Sequence, residues 1–165
     1  MAERSRESVR RGTVPRRGRT TAGARAARTR QPPRRAPLVL AFPSRLALLP
    51  MVQDVVRHAA LGAGFDAPVA ADLAAAAVAA ASNVIEHAYS GSDDARVEVW
   101  MDDRGDQFRI ELRDSGKTMD PRAPDTGRTG RGTRLMERVM DSVTYRRSAR
   151  RNVCCLVRRL QLGPA

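Results

Sequence analysis

The strongest constraint on this chain is a single segment, Pro68–Tyr89 (PVAADLAAAAVAAASNVIEHAY), in which alanine dominates. Alanine is the best helix former and carries the smallest chiral side chain. The run therefore predicts one long helix, with Pro68 in its first turn, against which neighbouring elements can pack closely. Asn83 interrupts it. Asparagine is a weak helix former, so something other than local propensity must justify it there. Its amide oxygen is a hard donor suited to Mg²⁺; a hydrogen-bonded core asparagine is the plainer alternative.

The segments around this helix alternate in type. Pro37–Phe42 (P-L-V-L-A-F) reads as a short strand closed by Pro43-Ser44. Ser44 is a candidate N-cap for a helix over Arg45–Ala63, kinked at Pro50 or starting only after it. Arg96–Met101 (R-V-E-V-W-M) and Gln107–Arg113 (Q-F-R-I-E-L-R) alternate with period two and predict a hairpin. Ser115–Thr129 is rich in Gly, Pro, Asp and Thr and reads as a loop. Gly130–Met140 returns to helical spacing, and strands follow near Ser142–Arg147 and Asn152–Leu160. The order β-α-α-β-β-loop-α-β-β predicts an α+β fold: a two-layer sandwich of a mixed β-sheet with helices on one face.

Charge divides the chain. Residues 1–36 hold 12 Arg against Glu3 and Glu7, whereas the remainder is nearly neutral, out of a net +12 for the whole. The first segment has almost no large apolar side chains to offset its ordering entropy, so residues 1–36 are expected to be a disordered Arg-rich tail and 37–162 the domain. Such a tail could neutralise phosphates of a nucleic acid, but it lacks aromatics for stacking, and a solvated arm is the simpler expectation. No run approaches 18 consecutive apolar residues, which argues against a membrane span. The apolar stretch after Arg34-Arg35 is too short and too soon broken for an export signal. Cys154 and Cys155 are adjacent in V-C-C-L-V and point to opposite faces of a strand, so they read as small buried hydrophobes of a cytoplasmic protein.

Two further motifs carry chemistry. Asp114-Ser115-Gly116 lies at a strand exit, where a carboxylate can accept from an exocyclic amine such as adenine's and Gly116 lets a flat ring approach. An ordinary turn has the same composition. Gly127–Arg134 (G-R-T-G-R-G-T-R) directly precedes a helix, whose free N–H groups suit phosphate oxygens, with Arg128, Arg131 and Arg134 adding positive charge.

In this order, N … D-x-G … G-x-G resembles the GHKL ATPases, the Bergerat or histidine-kinase-like ATPase fold. Within them the chain is most similar to the bacterial anti-sigma-factor serine/threonine kinases. N-V-I-E-H-A-Y, D-S-G-K-T-M-D-P, G-R-G-T-R-L-M-E-R-V-M-D-S-V-T-Y and the opening P-S-R-L-A-L-L-P-M-V-Q-D-V-V carry the likeness, over residues 37–160. The resemblance implies ATP or ADP with Mg²⁺ as cofactors. Asn83 would ligate the metal, Asp114 would read the adenine amine with Gly116 beneath the ring, and Gly130, Gly132 and Thr133 would hold the phosphates. Ser115–Thr129 would form a nucleotide lid. His87, one turn beyond Asn83, could line the phosphate end, and Asn152 falls where relatives have a Thr near the adenine.

The departures from the pattern bear on activity. Relatives carry a Glu four residues before the Asn as general base, and this chain has Ala79; neither Glu86 nor Asp72 occupies that place. Losing a general base typically costs about 10²–10⁴ in rate. Thr118 stands where relatives have a Gly, and Arg150-Arg151 stand where Gly is common. The resemblance thus implies an ATP-binding regulator that holds a sigma factor or an anti-sigma antagonist and exchanges partners with nucleotide state, its kinase activity weakened or absent. An active kinase phosphorylating an antagonist is the alternative. Arg128 and Arg131, by the lid, are candidate partner contacts, and a homodimer fits the likeness. A sensor histidine kinase is disfavoured, because no dimerisation helix with an acceptor His precedes residue 37.

Overall fold

Alternating burial in the hairpin sets the frame. In the computed structural model, which describes residues 36–89, 93–117, 129–148 and 150–161, β2 (Arg96–Asp103) and β3 (Gln107–Asp114) pair antiparallel. One face of the pair buries Val97, Val99 and Met101 beside Phe108, Ile110 and Leu112. Gly105 turns the chain between them at φ +83°, and its N–H donates to Asp103 Oδ1 at 2.9 Å. A side chain would be strained at that φ.

β1 (Leu38–Pro43) flanks β2, β5 (Arg151–Arg159) flanks β3, and β4 (Ser142–Ser148) closes the far edge, giving the order β1-β2-β3-β5-β4. All these pairings are antiparallel, which corrects the expected mixed sheet. The reason is topological: β5 returns between β3 and β4, so these two strands, which run the same way, never pair. The α+β class and the two-layer arrangement stand.

The helical layer forms as the composition dictates, with shifted starts. A 3₁₀ turn at Leu46–Leu48 precedes α1 (Leu49–Gly62), so the helix begins just before Pro50, whose missing N–H has no intrahelical partner to lose in a first turn. Ser44 is therefore not the cap of α1. It is buried, and its backbone N–H donates to Ala95 O at 2.7 Å. α2 (Ala67–Asn83) starts at an N-cap the sequence reading did not assign, Asp66, whose Oδ1 accepts from the Val69 N–H at 2.9 Å.

α2 lies between α1 and α3 (Thr129–Val139), and Ala70, Ala74, Ala76, Ala77 and Ala81 are fully buried, the small side chains admitting both neighbours. Ala67–Ala88 is long and apolar enough to cross a membrane by length and composition, contrary to the sequence expectation. Yet 56% of its most apolar window is already buried inside the fold, as in a core helix. Cys154 and Cys155 are both buried free thiols. Apart from Ala36, the proposed tail lies outside the described residues.

Candidate functional site

The long helix changes character at Asn83. α2 ends there, and the chain continues as a π-helical turn, Val84–Ala88. Single π turns widen a helix and recur at functional sites. Here the turn sets Val84 and Ala88 beside Asn83 along one wall of a cavity of about 200 Å³. The ends of β3, β4 and β5 supply the other walls through Asp114, Tyr145, Arg147, Asn152 and Cys154, with Lys117 at the loop side. Three residues singled out from separate segments, Asn83, Asp114 and Asn152, thus meet in one cavity.

Asn83 is 7% exposed, and its Nδ2 is buried without a hydrogen-bond partner among the described residues. Leaving a buried amide donor unpaired costs about 1–3 kcal/mol. A β-carbon added to Gly132 would lie 3.6 Å from Asn83 Oδ1, 3.7 Å from its Nδ2 and 3.4 Å from the Ala79 β-carbon. The first turn of α3 therefore abuts the amide through a residue with no side chain. The glycines do not precede the helix as expected: Gly130, Gly132 and Thr133 lie inside its first turns. The sequence places no breaker between Thr129 and Leu135 strong enough to prevent this. First-turn N–H groups have no carbonyl four residues back within the helix, and the helix dipole favours an anion at that end.

The opposite end of the cavity is built around a carboxylate. Asp114 is 6% exposed, and its Oδ1 accepts from the Gly116 N–H and from Asn152 Nδ2, both at 2.9 Å. Asn152 Nδ2 also donates to Gly116 O at 3.1 Å. Gly116 is required by the protein itself. A β-carbon there would fall 2.5 Å from Ala88 O, and the next N–H, of Lys117, donates to that carbonyl at 2.9 Å. So the direction in which Gly116 lacks a side chain faces the π turn.

Three contributors were missed by sequence reasoning. The Tyr89 hydroxyl accepts from the Ser115 N–H at 2.9 Å and donates to Arg96 O at 3.3 Å, clamping the exit of β3 to the start of β2. Burial raises its pKa above the ordinary value. Tyr145 and Cys154 face each other across β4 and β5 and form an apolar floor. Burial pushes the Cys154 thiol up to about 12 and raises the Tyr145 hydroxyl as well, so both are neutral near pH 7. Strand alternation puts both on Leu156's face, which was the available signal.

Other expected residues stand apart. His87 is exposed and is not among the residues that line the cavity, whereas Val84 and Ala88 of the same π turn are. Ala79 approaches Gly132 and brings no polar group. Glu86 accepts from Ser82 Oγ at 3.3 Å on its own helix and is absent from the cavity wall. Arg131 and Arg134 are exposed on α3, whereas Thr118, Arg128 and most of the expected lid lie outside the described residues.

A carboxylate at one end, a neutral apolar floor, and an orphan amide beside a helix N-terminus at the other suit a flat base joined to phosphates. Among the described residues no three His, Cys, Asp or Glu cluster as a metal site. Mg²⁺ fits through Asn83 Oδ1 together with oxygens of the ligand, because a hard cation commonly keeps few protein ligands when it rides on phosphates.

The family model of the histidine kinase-like ATPase domain matches residues 42–158. Among solved structures, the crystal structure of the RsbU and RsbW domains of Rv1364c from Mycobacterium tuberculosis is similar, with a TM-score of 0.59 and 18% identity. The match covers 76% of this chain and 32% of that one, so this chain spans about a third of that chain's length, and at such identity the likeness concerns the fold. No curated protein matches the chain.

Proposed function

As the chain belongs to the histidine kinase-like ATPase family, we propose that it binds ATP with Mg²⁺ in the cavity between Asn83 and Asp114 and acts as a nucleotide-dependent regulator of the anti-sigma-kinase kind. The carrying observation is the buried, unpartnered Asn83 amide set against the first turn of α3 in the same cavity as Asp114. A phosphate oxygen would satisfy Nδ2, the metal would take Oδ1, and Asp114 would accept from the exocyclic amine of the base. When bound, Mg²⁺ would neutralise phosphate charge and orient the terminal phosphoryl group.

Ala79 sets the second half of the reading. Transfer to a serine hydroxyl requires a group to take the hydroxyl proton, and a methyl group cannot. Positioning survives while proton removal does not, which favours a binding switch over a fast kinase. The partners in this reading are a sigma factor or an anti-sigma antagonist; the RsbU and RsbW domains named for the similar structure support that assignment. The exposed Arg131 and Arg134 of α3 are the surface next to the phosphate end.

The test is the fate of bound nucleotide. The chain is mixed with γ-labelled ATP and Mg²⁺, and the retained label is analysed. Retained, intact ATP is the expected result. Rapid release of labelled phosphate would overturn the weakened chemistry, and no retention would overturn the nucleotide site itself.

A further inference from the structure

The sheet ends on β4 (Ser142–Ser148). This strand pairs with β5 along one edge, and among the described residues no strand pairs with the other. Ser142, Thr144, Arg146 and Arg147 are exposed, so the strand stands open to solvent. An unpaired edge presents a row of N–H and C=O groups that another extended chain can complete.

The charge along this end of the sheet has one sign. Arg146 and Arg147 lie near the end of β4, and Arg150 and Arg151 lead back into β5; all four are exposed. Glu98 is within electrostatic reach of Arg151, and Glu137 of Tyr145, but Glu98 pairs with Arg96 and neither pairs with any of the four arginines. Side chains alternate along a strand, so Arg146 and Arg147 stand on opposite faces of the sheet. A strand added to this edge therefore meets positive charge on both of its faces.

Charged side chains also guard an edge against chance pairing. Here the guard is selective. A second copy would set arginine against arginine, whereas carboxylates are drawn to the same row. A nucleic acid would meet the charge but leave the row of main-chain groups unused.

We propose that the free edge of β4 receives an extended, acidic segment of a protein partner, which adds to the sheet as a sixth strand beside the four arginines. The proposal names the chemistry of a partner without depending on the nucleotide reading, and its test uses no nucleotide.

The probe is a fluorescent peptide of alternating Glu and Val, as long as β4 itself. It is compared with the same peptide methylated on every backbone nitrogen, which keeps each charge but cannot donate as a strand. Anisotropy gives the Kd for the chain and for the double variant Arg146→Glu with Arg150→Glu, and amide exchange locates the contact. The expected result is protection of β4 amides by the plain peptide, and binding at least about tenfold weaker for the methylated one. Charge reversal is expected to weaken the plain peptide by about tenfold, the scale of two surface pairings lost and turned repulsive. Should the double variant fail to fold, the two peptides compared on the parent chain decide alone. Equal binding of the two peptides, or no protection of β4, would overturn the proposal, because attraction to the arginines of residues 1–36 would explain either. Protection of β4 by single-stranded DNA in place of the peptide would give this face to nucleic acid, and protection that grows with protein concentration alone would give it to a second copy; both would overturn it.

Discussion

Asn152 Nδ2 donates to Asp114 Oδ1 at 2.9 Å, joining the start of β5 to the end of β3 at one end of the cavity. The two residues are adjacent in the sheet register, so the contact is made by strand pairing itself. A carboxylate held this way, with Gly116 N–H on the same oxygen, is positioned before any ligand arrives.

At the other end, Gly132 separates stability from binding. An added β-carbon meets Ala79 and the Asn83 amide at ordinary contact distances, 3.4–3.7 Å, so the fold can accept it. Gly132→Ala is expected to raise stability by about 0.5–1 kcal/mol through helix propensity, while filling the space beside the amide and lowering nucleotide affinity. Thermal denaturation and a binding titration on the same preparation check the opposite signs.

Gly116 permits no such exchange. Its β-carbon would sit 2.5 Å from a backbone oxygen and 2.7 Å from the Ala88 β-carbon, neither of which can swing aside. Gly116→Ala is expected to cost about 1–3 kcal/mol, in the range of overpacked cores, and to loosen the Lys117 N–H to Ala88 O bond. Chemical denaturation measures the first effect and amide exchange at Lys117 the second.

Ala79 is the position to rebuild. A carboxylate there projects from the helix face that meets Gly132, close to Asn83. Ala79→Glu is expected to raise ATP turnover by about 10²–10⁴ with little change in ATP affinity, the scale on which a general base acts. Steady-state phosphate release reads the rate, and calorimetry the affinity.

The outer face of the sheet carries its own titration. Glu111 is buried on β3 between Arg109, which donates to Oε1, and Arg113, whose Nη2 donates to Oε2 at 2.6 Å. Burial alone would raise the carboxyl, but the hydrogen bonds and charge of Arg113 and Arg109 outweigh it and hold its pKa below the ordinary value. The stabilisation is thus complete above the ordinary carboxylate range and is lost as pH falls through the lower folded value. Glu111→Gln should cost about 1–3 kcal/mol at neutral pH and shrink toward zero in acid, a convergence that denaturation curves across the acid range would show.

How much of this could be read from the sequence varies with the physics involved. The hairpin was legible because Val97, Val99, Phe108, Ile110 and Leu112 alternate, and the long helix because alanine has almost no competing preference. Asn83 stood out for the opposite reason, as a residue its helix does not want. The π turn was not legible, since Val84–Ala88 has no composition of its own. Tyr89 clamps a turn 26 residues away, and a contact at that separation leaves no local trace. Gly116 was noticed for the right reason, a missing β-carbon, but only the packed helix shows which neighbour needs the room.

The most direct test is a calorimetric titration of the full chain with ATP, with and without Mg²⁺, beside Asn83→Ala. Because Asn83 Nδ2 has no partner among the described residues, its removal should leave thermal stability unchanged or slightly higher. The expected result is Mg²⁺-dependent binding in the parent chain that weakens by about ten- to a hundredfold in the variant, the scale of a lost charged hydrogen bond. Equal affinity in the two proteins, at equal stability, would contradict the assignment of Asn83 to the metal and phosphate end of the site.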